Sequence, residues 1–465
     1  MPISVEVALL SGTAVHVDVE LDETVGELKR KVQLLLGTSG RLVTASGTLA
    51  GQQTVAEAGL KDGSKATLYV RPVAVARSRR AFAAIRSDGS VETWGDPEFG
   101  GDSIAFQERL VNVEQIQSNA FGFAAILDDG SVVSWGRHFS DLSSDIQEQL
   151  VNVQQIQVTS AAFAAIRGDG SVVTWGVGYY GGDSTKVRDQ LRNVQQIQAT
   201  EGAFAAILDD GSVVTWGCPS TGGDSSAVQE RLVGVQQIQA NEHAFAAILD
   251  NRSVVTWGVP KHGGNSADVQ EQLKNVQHIL GAKVTFAAIL GDGSLVAWGE
   301  PNFGGDSSAV QERLLNVQAV QASSLAFAAI LEDRSVVTWG QASEGGDSSA
   351  VSEQLTNVQE IQVNIGAFAA ILADGSVVTW GDPDHGGDSS GVQEQLKNVR
   401  QIQATYSAFA AILDSGYVVT WGNRAQGGDS TDVQGQLRNV QRIQATGLLF
   451  AAILDDGSVV TWGQA

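Results

Sequence analysis

The sequence predicts a mainly β protein in which ten near-identical units of about 41 residues follow a short N-terminal domain of different pattern. Three observations carry this. All ten tryptophans are followed by glycine, at Trp94, Trp135, Trp175, Trp216, Trp257, Trp298, Trp339, Trp380, Trp421 and Trp462, in steps of 41 residues with one step of 40. A fixed period of this length is the signature of a stacked architecture. Each Trp-Gly closes a stretch such as Phe204-Ala205-Ala206-Ile207-Leu208-Asp209-Asp210-Gly211-Ser212-Val213-Val214-Thr215-Trp216-Gly217, which reads as strand, tight turn, strand. Residues 1–72 lack the repeat and read as β-β-α-β-β.

In the N-terminal part, Ile3, Val5 and Val7 alternate, as do Val15, Val17 and Val19, with a turn at Leu10-Ser11-Gly12-Thr13. Such alternation predicts a hairpin. Thr24 and Glu27 form a capping box, each side chain able to satisfy a free backbone donor at a helix start. Val25, Leu28, Val32 and Leu35 follow helical spacing, and Gly37 supplies the stop. Short strands are expected at Arg41-Leu42-Val43 and Ala66-Thr67-Leu68-Tyr69-Val70.

In the unit around Trp216, Val194-Gln195-Gln196-Ile197-Gln198-Ala199 is the first strand, Phe204 to Leu208 the second and Val213 to Trp216 the third. Gly211 lets the intervening turn reach positive φ. The second strand is almost continuously apolar, so both its faces must be covered. Neighbouring units cover both faces when they stand side by side as the blades of a β-propeller do. Ala205 and Ala206 permit close approach, and Phe204 and Trp216 fill the gaps. Gly222-Gly223-Asp224-Ser225 follows, with Val228 and Leu232 spaced i,i+4. This predicts one or two Asp/Ser-capped turns of helix, or a short outer strand, returning the chain to the next unit.

Residues 1–72 resemble the ubiquitin-like, β-grasp fold. Arg41-Leu42-Val43, Gly47-Thr48-Leu49 and Thr54-Val55-Ala56-Glu57-Ala58-Gly59-Leu60 look like the corresponding segments of ubiquitin. Val43 falls where ubiquitin has the isoleucine of its main recognition patch. No Gly-Gly tail follows the last strand, which continues Arg71-Pro72-Val73, and Gly47 stands at the position of the main chain-linking lysine. The resemblance therefore implies not a conjugated modifier but a docking module for ubiquitin-pathway receptors, with a stability or solubility cap as the alternative. Residues 73–465 resemble the repeats of the regulator of chromosome condensation family: Phe-Ala-Ala-Ile-Leu-x-Asp-Gly-Ser-Val-x-x-Trp-Gly is similar to that family's paired inner strands, and Gly-Gly-Asp-Ser falls where it has a Gly-Gln-Leu-Gly segment. The shorter period is closer to the type II β-lactamase inhibitor propellers. The usual count in the family is seven, so ten units leave a ten-bladed ring, a seven-bladed ring with extra units, or an open spiral. The near-identity of the units argues against a seven-plus-three division, because every interface should impose the same rotation.

Charge is uneven. Residues 1–72 carry 7 basic and 8 acidic residues, net −1, and the array carries 22 and 44, net −22. Such a surface repels phosphate backbones, so nucleic-acid partners are not expected. It favours solubility or basic protein partners. The one cysteine, Cys218, allows no internal disulfide and fits a reducing compartment. The N-terminus lacks a basic region and a long apolar run, and no apolar run approaches the ~20 residues that span a bilayer, so neither a signal peptide nor a membrane partner is expected. The expected location is cytoplasmic or nuclear.

No catalytic constellation is visible, and no enzyme activity, cofactor or metal is expected. His16, His138, His243, His262, His278 and His385 form no cluster with Cys or carboxylates at metal-ligand spacing. Gly-Gly-Asp-Ser lacks the lysine and context of a phosphate loop. Eight Gly-Gly-Asp/Asn-Ser copies occur among nine linkers, and a structural turn is the expected role; the second linker, Ser140-Asp141-Leu142-Ser143, drops both glycines. The HERC-type ubiquitin ligases share this kind of propeller but act through a C-terminal catalytic domain with an active cysteine. Here the sequence ends Trp462-Gly463-Gln464-Ala465 and Cys218 lies within the array, so ligase activity is not carried over. Exchange activity on a small GTPase is a second family role, and no exchange-loop residue can be matched.

Comparing units within the chain locates the variation. One varied segment precedes the phenylalanine, as in Thr200-Glu201-Gly202 and Thr405-Tyr406-Ser407. The other follows Trp-Gly, as in Asp96-Pro97-Glu98-Phe99 and Pro260-Lys261-His262. A three-stranded meander places both at one end, with the Asp-Gly turns forming an acidic ring at the other. Loops on a rigid scaffold carry recognition, and aromatics anchor interfaces. The expected function is a non-enzymatic interaction scaffold or adaptor that binds a protein partner. Its candidate contacts are Val43, Phe99, His138, Phe139, Tyr179, Tyr180, His243, His262, Phe303, His385 and Tyr406.

Overall fold

The computed structural model describes residues 2–463 except 10–12, 37–39, 45–46, 50, 52, 71–73, 87, 140–141 and 456–457. The predicted turn at Leu10-Ser11-Gly12, the stop at Gly37, the junction Arg71-Pro72-Val73, the Ser140-Asp141 pair and the terminal Gln464-Ala465 lie outside the described residues. The chain is mainly β and falls into two compact units, Met1–Val177 and Gly178–Ala465. The first holds a five-stranded sheet and three of the three-stranded sheets; the second holds seven three-stranded sheets.

The N-terminal segment forms β1 (Ile3–Leu9), β2 (Ala14–Val19), α1 (Val25–Leu36), β3 (Gly40–Thr44), β4 (Gly47–Thr48) and β5 (Lys65–Val70). The sheet order is β2-β1-β5-β3-β4, with β1 and β5 parallel and the other pairs antiparallel. The alternation predicts the inward side: Val5, Val7, Val17 and Val19 are buried together with Leu28 and Val32 of α1. The capping box forms as expected. Thr24 Oγ1 accepts from Glu27 N–H at 3.2 Å, and Glu27 Oε2 accepts from Thr24 N–H at 2.7 Å.

Each repeat is a three-stranded antiparallel meander with the apolar strand in the middle. In the Trp216 unit these strands are Val194–Ala199, Ala203–Leu208 and Val213–Gly217. A register shift between Val194 and Gln196 bends the first strand. Asn193, at φ 54, precedes it in the left-handed region, as Asn275, Asn316, Asn357, Asn398 and Asn439 do in their units. Asparagine tolerates that conformation better than most residues, a role that hydrophobic patterning does not reveal.

Both faces of the middle strand are covered by neighbours. Ala203, Ala205 and Ile207 pack against Phe245, Val255 and Trp257 of the next unit, one of a series of equivalent clusters. Phe245 and Trp257 stack with ring centroids 5.1 Å apart. The indole Nε1 of Trp257 donates to Gly222 O of the preceding linker at 3.1 Å, and the bond recurs from Trp298 to Gly263 and from Trp339 to Gly304. This explains the first glycine of the linker. Gly222 has φ +100, and a Cβ there would lie 2.6 Å from the Phe245 ring. The second glycine, Gly223, would place a Cβ 2.6 Å from the Gly217 backbone.

The rest of the linker differs in part from expectation. Asp224 does not cap a helix: its carboxylate accepts from Ser226 N–H at 2.9 Å in a local turn. Ser225 Oγ is shared with Thr215 Oγ1 at 2.9 Å and with Gln229 Oε1 at 2.8 Å, and Gln229 Nε2 donates to Val213 O at 2.9 Å. The return segment is a short 3-10 turn, Gln229–Arg231, with no side-chain cap. A true α-helix, α2 (Ser144–Gln149), with Ser143 as its capping side chain, forms where the linker lacks the two glycines. A second 3-10 turn, which the sequence reading did not anticipate, follows Trp-Gly, as at Pro219–Thr221, and is ended by left-handed Gly222. The Asp-Gly end is not uniformly acidic. Arg252 and Arg334 replace glycine there at φ 64 and 66.

Candidate functional site

The two varied segments lie at one end of each sheet, because the register pairs Ala203 with Gly217 and Ala199 with Phe204. They also touch. Thr200 Oγ1 donates to Thr221 O at 3.0 Å, and Asn241 Nδ2 donates to His262 O at 2.7 Å. Equivalent first loops are joined from unit to unit by backbone bonds. Glu242 N–H donates to Lys283 O at 3.2 Å, Ser324 to Ile365 at 3.1 Å, Ile365 to Tyr406 at 3.3 Å, and Tyr406 to Gly447 at 2.9 Å. These loops ring an open cavity of about 640 Å³, whose lining includes Glu242, Lys283, Ser324, Ile365, Tyr406 and Gly447. The bond recurs between most successive loops, while the side chains around the cavity differ from unit to unit. Tyr406 and Ile365 are exposed apolar side chains on this rim.

The candidate contacts divide into three sets by exposure. Tyr179 and Tyr406 are exposed, as is His138, which sits at φ 72. Tyr180, His243, His262, Phe303, His385 and, in the N-terminal sheet, Val43 are half-buried. Phe99 and Phe139 are corrections, being only 7% and 0% exposed. In the Trp94 unit the 3-10 turn after Trp-Gly curls its last residue, Phe99, inward, and in the Trp135 unit an ordinary turn does the same for Phe139. Phe99 stacks on Phe121 at 6.0 Å, and Phe139 meets Phe163 edge-on at 4.8 Å. They are core residues and not interface anchors. Val43 shares a side of β3 with Arg41, whose guanidinium reaches Glu114 of the array at 3.4 Å.

The same inward curl brings polar side chains of successive units together. His243 and His262 meet edge-on with centroids 4.7 Å apart, and Glu201 Oε2 lies 3.5 Å from His243 Nε2. Burial holds the His262 pKa below the usual histidine value, and the neighbouring His243 adds to this. Burial raises the Glu242 carboxyl. Further round, Glu344, Asp382 and His385 form the one grouping of three metal-ligating side chains found among the described residues. Sequence reasoning missed it because it looked for ligands at local metal-site spacing, and Glu344 lies 41 residues from His385. The available signal was that equivalent positions of consecutive units, such as Glu344 and His385, become neighbours.

Cys218 is 4% exposed, with the hydroxyls of Ser220 and Tyr179 at 3.0 and 3.1 Å from Sγ. Burial pushes its thiol up, but hydrogen bonds with Ser220, Tyr179 and Thr221 outweigh it and bring the pKa from 9.0 down to about 7. A depressed folded-state pKa contributes stability that is fully present above the unfolded value and is lost as pH falls through the folded one. The stability difference between the native chain and Cys218→Ala is therefore expected to widen as pH rises from about 7 to about 9. Urea unfolding at matched pH measures it, and a pH-independent difference would contradict the thiolate assignment.

No family model and no curated protein matches the chain. Among solved structures it is similar to the computationally designed protein Ika8, at 13% identity over 67% of this chain and 97% of that one, with a TM-score of 0.32. It is similar to the CRINKLY WD40 ectodomain of the Arabidopsis thaliana receptor kinase ACR4, at 16% identity over 58% and 97%, with a TM-score of 0.31. It is also similar to Prp20p of Saccharomyces cerevisiae, described with its binding to Gsp1p and histones, at 15% identity over 62% and 77%, with a TM-score of 0.33. Likenesses at these TM-scores carry no argument, and the fold rests on the repeated sheets themselves.

Proposed function

We propose that the chain is a non-enzymatic interaction scaffold whose varied loop end binds a protein partner. The observation that supports this reading is the ring of first loops. Backbone bonds join Glu242 to Lys283 and run from Ser324 through Ile365 to Tyr406, while the side chains change from loop to loop around one cavity. A rigid frame carrying dissimilar side chains is how loop-based recognition surfaces are built, and a rim tyrosine is a typical binding anchor. The array's net charge of −22 favours a basic partner surface. In the finer reading, the N-terminal domain docks to a ubiquitin-pathway receptor, and the protein bridges two partners in the cytoplasm or nucleus. The second contact then gains effective concentration from the short connection. Among the described residues, Leu21 before the helix, Leu34 and Leu35 of α1 and Tyr69 of β5 are exposed apolar side chains available for that contact, whereas Val43 is half-buried.

The test is quantitative capture of partners by the full chain and by two variants. Tyr406→Ala combined with Ile365→Ser is expected to weaken recovery of the array's partner at least tenfold, with the melting temperature unchanged. Leu34→Asp is expected to leave that partner in place and remove any ubiquitin-pathway receptor. Undiminished recovery by the rim variant would reject the loop-end reading. Identical partners with Leu34→Asp would reject bridging alone.

A further inference from the structure

Glu344 and His385 occupy the same repeat position, 41 residues apart, at the end of the 3-10 turn after Trp-Gly. Asp382 opens the second of these turns. One of its oxygens accepts from Asp384 N–H at 2.8 Å, and the other, Oδ2, stands 3.0 Å from His385 Nδ1. That nitrogen is buried and has no hydrogen-bond partner, so the close carboxylate lies off the line a hydrogen bond needs. The three donor atoms, one each from Glu344, Asp382 and His385, lie within 4.8 Å of one another.

The space they share exists because of one residue. The first loop opposite them carries Gly366 at a position that is also glycine in the Trp216 unit, Gly202, but is His243, Val284, Leu325 or Ser407 in others. A Cβ at Gly366 would overlap Glu344 Oε2 and lie 3.0 Å from His385 Nδ1. The backbone around the donors is tied down. Asn364 Nδ2 donates to His385 O at 2.7 Å, Asn364 Oδ1 accepts from Gly366 and Ala367 N–H at 3.1 and 2.8 Å, and Ser323 Oγ donates to Glu344 O at 3.2 Å. Burial raises the Glu344 carboxyl, as is expected of a group whose charge lacks full solvation.

We propose that Glu344, Asp382 and His385 bind one borderline divalent cation, of which Zn²⁺ is the type, across the junction of two consecutive units. Two carboxylate oxygens and one imidazole nitrogen suit such an ion, whereas Ca²⁺ takes six to eight oxygens. Tetrahedral bonds of about 2.1 Å need donors roughly 3.4 Å apart, so donors as much as 4.8 Å apart close by about 1.4 Å through rotation of the Glu344 side chain. Three protein ligands leave a fourth position open to water or to a donor from a bound molecule.

Zn²⁺ titrated calorimetrically into the untagged, chelator-treated full chain is expected to show one saturable equivalent. Co²⁺ in its place is expected to give a visible absorption band. His385→Ala, Glu344→Gln and Gly366→Ser are each expected to weaken binding at least tenfold. Gly366→Ser restores a side chain that the Trp421 unit carries at the equivalent Ser407, so it keeps the fold while filling the space. Near-UV circular dichroism confirms that each variant is native, and zinc is expected to raise the melting temperature of the native chain only. Three outcomes overturn the site: no stoichiometric binding by the folded native chain, unchanged affinity in Gly366→Ser and His385→Ala, or equal loss in His243→Ala. The last would place the ion at the His243–His262 pair.

Discussion

Trp257→Ala is expected to lower stability by about 3–5 kcal/mol, the range for emptying a buried large aromatic site. The indole stacks on Phe245, packs against Ala203, Ala205 and Ile207 of the preceding unit, and donates to Gly222 O at 3.1 Å. Because units contact only their neighbours, the damage is local. Amide hydrogens of Ala203–Leu208 and Ala244–Leu249 are expected to lose protection, and those of Ala408–Leu413 to keep it. Uniform loss along the chain would show that the units do not behave as a nearest-neighbour stack. Phenylalanine substitutions separate the hydrogen bond from the packing. Trp257→Phe forfeits the Gly222 bond, a net loss of about 1 kcal/mol beyond the change in packing. Trp175 differs: among the described residues its buried Nε1 has no partner. An unpaired buried donor is itself unfavourable by about 1–3 kcal/mol, so Trp175→Phe is expected to be the milder substitution. Equal effects at the two positions would remove the hydrogen bond from the account.

Lys29→Met is expected to lower the stability of the N-terminal domain by about 3 kcal/mol, as when one partner of a buried ion pair is removed. Lys29 is only 8% exposed although it lies on α1 among apolar positions, and its ammonium stands 3.8 Å from both Glu114 and Asp128 of the array. Arg41 reaches the same Glu114, and Gln33 Nε2 donates to Asp88 O at 3.0 Å. Gly51 comes so close that a Cβ there would lie 3.2 Å from Asp128 O. Methionine preserves the stem and removes the ammonium that Glu114 and Asp128 share, leaving Arg41 beside Glu114. Hydrogen exchange in α1, β1 and β2 is expected to accelerate while the sheets beyond Gly178 keep their protection. Asp128→Asn added to Lys29→Met is expected to restore part of the loss. An unchanged exchange pattern in the single variant would show that these charges do not hold the domain to the array.

The strands were legible because their signal is short-range. Phe204 to Leu208 is apolar on both faces, and the ten copies average out local ambiguity. Thr24 and Glu27 announced α1 for the same reason, since a capping box is complete within four residues. The linker was only half legible. Gly222 and Gly223 mark a turn in any setting, but the reasons they are needed, the Phe245 ring and the Gly217 backbone, arrive from elsewhere in the fold. Asp224 and Ser225 have the composition of a helix cap, and they go instead to Ser226 N–H and Thr215. In the candidate site, the end of each sheet that carries the varied loops followed from the meander. Which aromatics point outward did not. Phe99 is the last residue of its 3-10 turn and is buried, whereas Tyr179 is the middle residue of the corresponding turn and is exposed.

The sequence by itself determined the repeat, the order of strands within it, the covered middle strand and the end at which variation is displayed. All of these depend on periodicity and on contacts within a few residues. Only the tertiary structure decided how one unit meets the next: the indole bond to the preceding linker, the placement of Lys29 against Glu114 and Asp128, and the meeting of Glu344 with Asp382 and His385 around the space left by Gly366. The physical reason is that side chains 41 residues apart become neighbours only through the rotation between stacked sheets, which no local pattern encodes.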